Sequence, residues 1–95
     1  MTKADLVQNI ADKTGLDKKD VQSVLDYFMD EVKTSLKSGE NVYLRGFGSF
    51  VVKYRAEKTA RNIKKNISIK VPAHYVPSFK PSKSFTELIK TNLKP

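Results

Sequence analysis

The sequence predicts an α+β fold, with helices first and strands after. Three observations carry that expectation. Apolar residues recur at helical spacing through Leu36, the pattern turns to alternation from Val42, and a glycine turn at Gly46–Gly48 stands between alternating segments. With 95 residues, no internal repeat and no low-complexity linker, residues 1–95 are expected to form a single domain. A domain this small buries only about 60% of the surface that its unfolded chain exposes, so it needs help to be stable.

Thr2 is positioned to cap a first helix, with Asp5 at the capping-box place and acidic where the helix dipole favours negative charge. Leu6, Val7, Ile10 and Ala11 form its apolar stripe, and Gly15 suits a left-handed stop. Asp17 caps a second helix with Asp20 at its capping-box place. Val21, Val24, Leu25, Phe28, Met29, Val32 and Leu36 predict that helix over residues 18–37, stopped by Ser38-Gly39. Tyr27 beside Phe28 and Met29 widens the apolar arc beyond what one short helix covers. Part of the core formed by Leu25, Phe28, Met29 and Val32 is therefore expected to come from a second subunit, making residues 1–39 a helical dimerisation body.

Val42–Leu44 reads as a strand, followed by the turn at Gly46-Phe47-Gly48-Ser49 and a second strand from Phe50 to about Lys58. Ile67, Ile69 and Val71 alternate with Ser68 and Lys70 in a third, ended by Pro72. Pro77 and Pro81 are expected to punctuate an irregular segment around Phe79. Ser82 or Ser84 then caps a short last helix carrying Phe85, Leu88 and Ile89.

Charge narrows the choice of function. The net charge is +8, and it is unevenly placed. Residues 1–44 hold six basic and eight acidic side chains, whereas residues 45–95 hold twelve basic and two acidic. A near-neutral scaffold with a cationic second half favours a polyanionic partner. Cysteine is absent and histidine occurs once, at His74, so disulfides and Cys/His zinc sites are excluded and neither metal nor cofactor is expected. No apolar run approaches the ~18–20 residues of a membrane span. Met1–Asp5 opens no signal peptide, so a cytoplasmic protein is expected.

Enzymatic readings find little support. His74 lacks a second histidine or cysteine and suits a local hydrogen bond. Asp26, Asp30 and Glu31 suit a solvated helix face, Ser35 and Ser38 have no histidine near them in sequence, and no phosphate-cradling glycine loop occurs.

The unusual stretch is 53–72. Lys53, Arg55, Lys58, Arg61, Lys64, Lys65 and Lys70 stand there against one acid, Glu57. Two flanks of about nine residues at ~3.3 Å each make a hairpin arm close to 30 Å long. A lone two-stranded ribbon is marginal in water, so this one is expected to be mobile at its tip and ordered by a ligand. A duplex groove admits such a ribbon. The ribbon is read as lacking exposed aromatics for base stacking, and the chain as lacking an amphipathic basic helix. Both points disfavour an RNA-binding or membrane-surface module.

The runs Arg45-Gly46-Phe47-Gly48-Ser49-Phe50, Arg61-Asn62, Val71-Pro72-Ala73 and Pro77-Ser78-Phe79-Lys80 resemble the HU/integration host factor family of bacterial histone-like nucleoid proteins, HU most of all. The resemblance covers essentially the whole chain. It implies an intertwined homodimer with a helical base, a saddle of three-stranded antiparallel sheet, and two β-arms around the minor groove of double-stranded DNA. Leu44, Phe47, Phe50 and Phe79 would complete the dimer core begun by Leu25, Phe28, Met29 and Val32. The arm cations would meet phosphates, Arg61 and Asn62 would reach base edges, and Lys3, Lys80 and Lys83 would hold flanking DNA. The family tip reads Arg-Asn-Pro-x-Thr-Gly, but here it is Arg61-Asn62-Ile63-Lys64-Lys65-Asn66. Ile63 would replace the proline as an intercalating wedge, and Asn66 would take the left-handed turn that glycine supplies.

The expected role is thus a nucleoid protein that binds and bends DNA largely without sequence specificity and takes no small-molecule substrate. A site-specific integration-host-factor-like protein, commonly a heterodimer with a paralogue, shares the fold and is the alternative.

Overall fold

The computed structural model describes residues 1–62, 64, 65 and 67–95, and Asn62 by its backbone only. Ile63 and Asn66, expected as wedge and turn residue, lie outside the described residues, as does the side chain of Asn62. The elements run α1 (Lys3–Thr14), α2 (Lys18–Lys37), β1 (Val42–Leu44), β2 (Gly48–Arg55), β3 (Lys58–Asn62), β4 (Ile67–Val71), β5 (His74–Pro81) and α3 (Lys83–Asn92). They fall into two compact units, Met1–Ser35 and Leu36–Pro95.

In the first unit the helix ends follow their local chemistry. The Thr2 hydroxyl accepts the Asp5 amide at 3.3 Å while the Asp5 carboxylate accepts the Thr2 amide at 2.9 Å, the reciprocal box that satisfies two orphan donors. Hydrogen bonding from the Thr2 amide, and then from its hydroxyl, holds the Asp5 carboxyl below the usual carboxylate range. Gly15 ends α1 at φ 74°, its amide donating to Ala11. The Asp17 carboxylate accepts the Lys19 amide at 3.0 Å where α2 begins. Val7 and Val21, 2% and 6% exposed, are the buried hydrophobic residues. Val24, Phe28 and Met29 remain 70%, 39% and 37% exposed. Ile10, Leu16, Val21, Val24, Leu25 and Phe28 line an apolar groove of about 270 Å³ on this unit. The arc is as wide as the sequence predicted, and most of it faces outward.

In the second unit β1, β2 and β5 form a three-stranded antiparallel sheet with β2 in the middle, and β3 pairs with β4 in a separate two-stranded ribbon. Two expectations are corrected here. The strand predicted from Phe50 to about Lys58 is two strands: β2–β5 pairing ends at Arg55↔His74, and β3–β4 pairing starts at Lys58↔Val71. Pro72, lying between β4 and β5, has no amide hydrogen to give the ladder, so pairing lapses there and resumes beyond it. The segment around Phe79, predicted irregular, is the eight-residue strand β5. β5 is a sheet edge, where a strand can spare the donors on its outer side. Pro77 and Pro81, four residues apart, place their missing donors on one side of it.

The turn between β1 and β2 requires its glycines. Gly46 sits at φ 82°, a region that L side chains rarely adopt. A Cβ on the buried Gly48 would stand 2.5 Å from the Lys80 carbonyl oxygen and 2.6 Å from the Phe79 ring. That close approach seats a phenylalanine cluster. Phe47 lies 5.1 Å from Phe79 and 5.4 Å from Phe85, and Phe50 lies 5.0 Å from Phe79, each between ring centroids. Such pairs contribute about 0.5–1.5 kcal/mol each beyond the area they bury. The Ser82 amide donates to the Phe47 carbonyl at 2.9 Å, and the Ser82 hydroxyl caps α3, so turn, strand and helix meet at one point.

Candidate nucleic-acid interface

Residues directly opposite in an antiparallel pair share a face of the sheet. The register therefore sorts the sheet into two unlike sides. Val42, Leu44, Phe50, Val52, Tyr54, Tyr75, Pro77 and Phe79 share the apolar side with the phenylalanine cluster. Tyr43, Ser49, Val51, Lys53, Arg55, His74, Val76, Ser78 and Lys80 share the other. Three of the predicted cations, Lys53, Arg55 and Lys80, thus stand on one polar face. Lys53 and Lys80 line a shallow groove of about 360 Å³ with Asn41, Tyr43, Ser49 and Val51. Asn41 completes this edge where β1 is too short: its Oδ1 accepts the Val52 amide at 3.0 Å.

The ribbon carries the next group of cations. Lys58 and Arg61 lie on β3, Lys70 on β4, and Lys64 and Lys65 in the exposed turn between them. Lys70 Nζ is 2.9 Å from the Glu57 carboxylate, so the arm's one acid is matched to one of its seven basic side chains. Both partners are largely exposed, and an exposed pair of this kind is worth about 0–1 kcal/mol. Lys3 lies in the other unit and pairs with Asp26 at 2.8 Å. Lys83 opens α3 and is exposed.

Several neighbours escaped the sequence reading. Tyr43, His74 and Ser78 share the cationic face. His74 and Ser78 could have been assigned to it by alternation had β5 been read as a strand. Tyr54, 58% exposed and on β2, corrects the expectation that the 53–72 stretch lacks exposed aromatics: its ring stands edge-on to Tyr75 at 5.5 Å across strands β2 and β5. Phe85 joins the aromatic cluster, a contact that only the approach of α3 to the turn creates. His74 makes the local bond expected of it, Nδ1 to the Pro72 carbonyl at 2.9 Å; a carbonyl only accepts, so Nδ1 carries the hydrogen. Among the described residues no group of three His, Cys, Asp or Glu side chains is placed to hold a metal, and no helix is long and apolar enough to cross a membrane.

A family model described as bacterial DNA-binding protein matches residues 1–90. The chain is 40% identical over 90 residues to integration host factor subunit beta of Shewanella amazonensis, covering 94% of this chain and 95% of that one. It is 40% identical over 95 residues to the same-named subunit of Marinobacter nauticus, covering 99% and 97%. Among solved structures it is similar to HU from an Anabaena HU–DNA cocrystal, with a TM-score of 0.87, 34% identity and coverage of 99% and 100%. It is also similar to HU from Thermotoga maritima carrying the substitution V42I, with a TM-score of 0.71, 32% identity and coverage of 94% and 99%.

Proposed function

The chain belongs to the bacterial DNA-binding protein family, and from that premise we propose that two copies pair to bind and bend duplex DNA through the minor groove, largely without sequence specificity. The observation that carries this reading is the two-sided sheet. Lys53, Arg55 and Lys80 occupy one face, and the cationic ribbon continues from the same strands. The opposite face carries the phenylalanine cluster that packs the turn, β5 and α3 together.

In this reading Lys53, Arg55, Lys58, Lys64, Lys65, Lys70 and Lys80 neutralise phosphates, while Arg61 and Asn62 reach base edges. Lys3 and Lys83 hold flanking DNA, with Lys3 exchanging Asp26 for a phosphate. Ile63 is the wedge that unstacks one base step. Leu25, Phe28, Met29, Val32, Leu44, Phe47, Phe50 and Phe79 form the core shared with the partner protomer. The apolar surface that one chain leaves open, Phe28 and Met29 included, supports that pairing. The chain is a binding protein of the nucleoid rather than an enzyme.

Titration of a ~35-base-pair duplex tests the reading. With about eight phosphates neutralised per dimer, log K falls against log[salt] with a slope near −7, whereas a slope near −2 means only incidental contact. Energy transfer across the doubly labelled duplex at saturation tests the wedge: Ile63→Ala loses most of the bend while keeping much of the affinity. Undiminished bending in that variant removes Ile63 from the role. Sedimentation and a melting temperature that rises with protein concentration test the dimer.

The second reading is a site-specific architectural protein, favoured by relatives named integration host factor subunit beta. Affinity for one sequence a thousandfold or more above random duplex, on the order of what specific binders achieve, decides for it.

A further inference from the structure

The ribbon, like the sheet, has two unlike faces. Cα partners Lys58↔Val71, Ala60↔Ile69 and Asn62↔Ile67 set Ala60, Ile67, Ile69 and Val71 on one side, between Lys58 at its root and the position of Asn62 at its far end. Thr59↔Lys70 and Arg61↔Ser68 set only polar and charged residues on the other. Ile67 and Ile69 are 49% and 46% exposed. A short apolar stripe on a ribbon two strands wide, with Lys58 at its root and the cations Arg61 and Lys70 on the reverse face, is complementary to an apolar surface running between rails of negative charge. The minor groove of DNA is such a surface: its walls are the carbon-bonded hydrogens of deoxyribose, and its rims are phosphates. In an RNA duplex the same groove displays a 2′-hydroxyl on every sugar.

We propose that Ile67 and Ile69 make the ribbon selective for deoxyribose, their face lying on the sugar walls of the groove. This rests on the minor-groove reading above. Pressing an isoleucine onto a ribose strips water from a hydroxyl and offers it no partner. The cations alone do not discriminate, because phosphates are common to both nucleic acids. The selectivity therefore belongs to the apolar face.

The experiment uses one duplex sequence as DNA and as RNA at a fixed salt concentration, and three proteins: the parent, I67V/I69V and I67T/I69T. Valine and threonine are nearly isosteric and both suit strands, so the two variants keep the ribbon and differ in polarity alone. The parent and the valine variant favour DNA by tenfold or more, and the threonine variant narrows that preference by about tenfold, the cost of one desolvated hydroxyl without a partner. A threonine variant with the same DNA-to-RNA ratio as the valine variant, or a parent that binds both duplexes equally, overturns the proposal and leaves the DNA-binding reading standing. A parent that binds neither duplex overturns that reading as well.

Discussion

The three-stranded sheet and the two-stranded ribbon are built from the same antiparallel pairing, a few residues apart on the same chain, yet they hold together for different reasons. Behind the sheet stand Phe47, Phe50, Phe79 and Phe85 with ring centroids 5.0–6.5 Å apart, seated by a glycine that admits no side chain. The ribbon has one layer, half-exposed isoleucines and an exposed ion pair. Packing is concentrated behind the sheet, and charge lies on the sheet's other face and along the ribbon. Substitutions should therefore separate: those in the aromatic layer behind the sheet change folding, and those at the cations of the ribbon and of the sheet's polar face change binding.

The largest test of that division is Gly48→Ala. Its Cβ meets backbone and an aromatic ring, neither of which can swing aside, so about 3 kcal/mol or more is lost and urea unfolding shifts to much lower denaturant. Phe79→Ala costs about 3 kcal/mol by emptying the cluster. Ile69→Ala, also a strand residue, changes stability by only about 0.5 kcal/mol. Equal losses at Phe79 and Ile69 would erase the distinction between the two regions.

Next in size is the converse experiment on binding. Arg55→Ala with Lys58→Ala in both protomers removes up to four phosphate contacts, so the salt slope should become shallower by about 3–4 while the urea midpoint stays put. An unchanged slope moves the DNA contacts off the arm. Glu57→Gln sharpens the same comparison with a smaller effect. It releases Lys70 and removes the arm's one negative charge, so DNA affinity at low salt rises about two- to threefold. A fall in affinity instead would mean that the ion pair organises the ribbon for binding.

The smallest effect is in the first unit. Bonding to the Thr2 amide and hydroxyl lowers the folded-state pKa of Asp5 below its unfolded value. The stability it contributes is present above the unfolded value and is lost as pH falls through the folded one. Amide protection at the start of α1, measured against intrinsic exchange, should fall as pH drops below the ordinary carboxylate range, and Asp5→Asn should remove most of that pH dependence.

The helix ends, the breadth of the apolar arc and the uneven charge were legible in the sequence because each depends on residues within a few positions of one another. Thr2 reaches Asp5, Asp17 reaches Lys19, and the α2 stripe repeats turn by turn. The resemblance to a DNA-binding family rested on contiguous runs and was legible for the same reason. Local sequence could not decide whether a proline breaks a strand. Pro77 and Pro81 are tolerated because β5 happens to be an edge, and β2 stops at Arg55 where the chain opposite contains Pro72. Both outcomes depend on which strand lies alongside, and therefore on partners many residues away. Tertiary pairing also put Lys53, Arg55, His74 and Lys80 on one face and gave the ribbon its apolar side. Alternation divides a single strand into two faces, but only the register between strands shows which of those faces join.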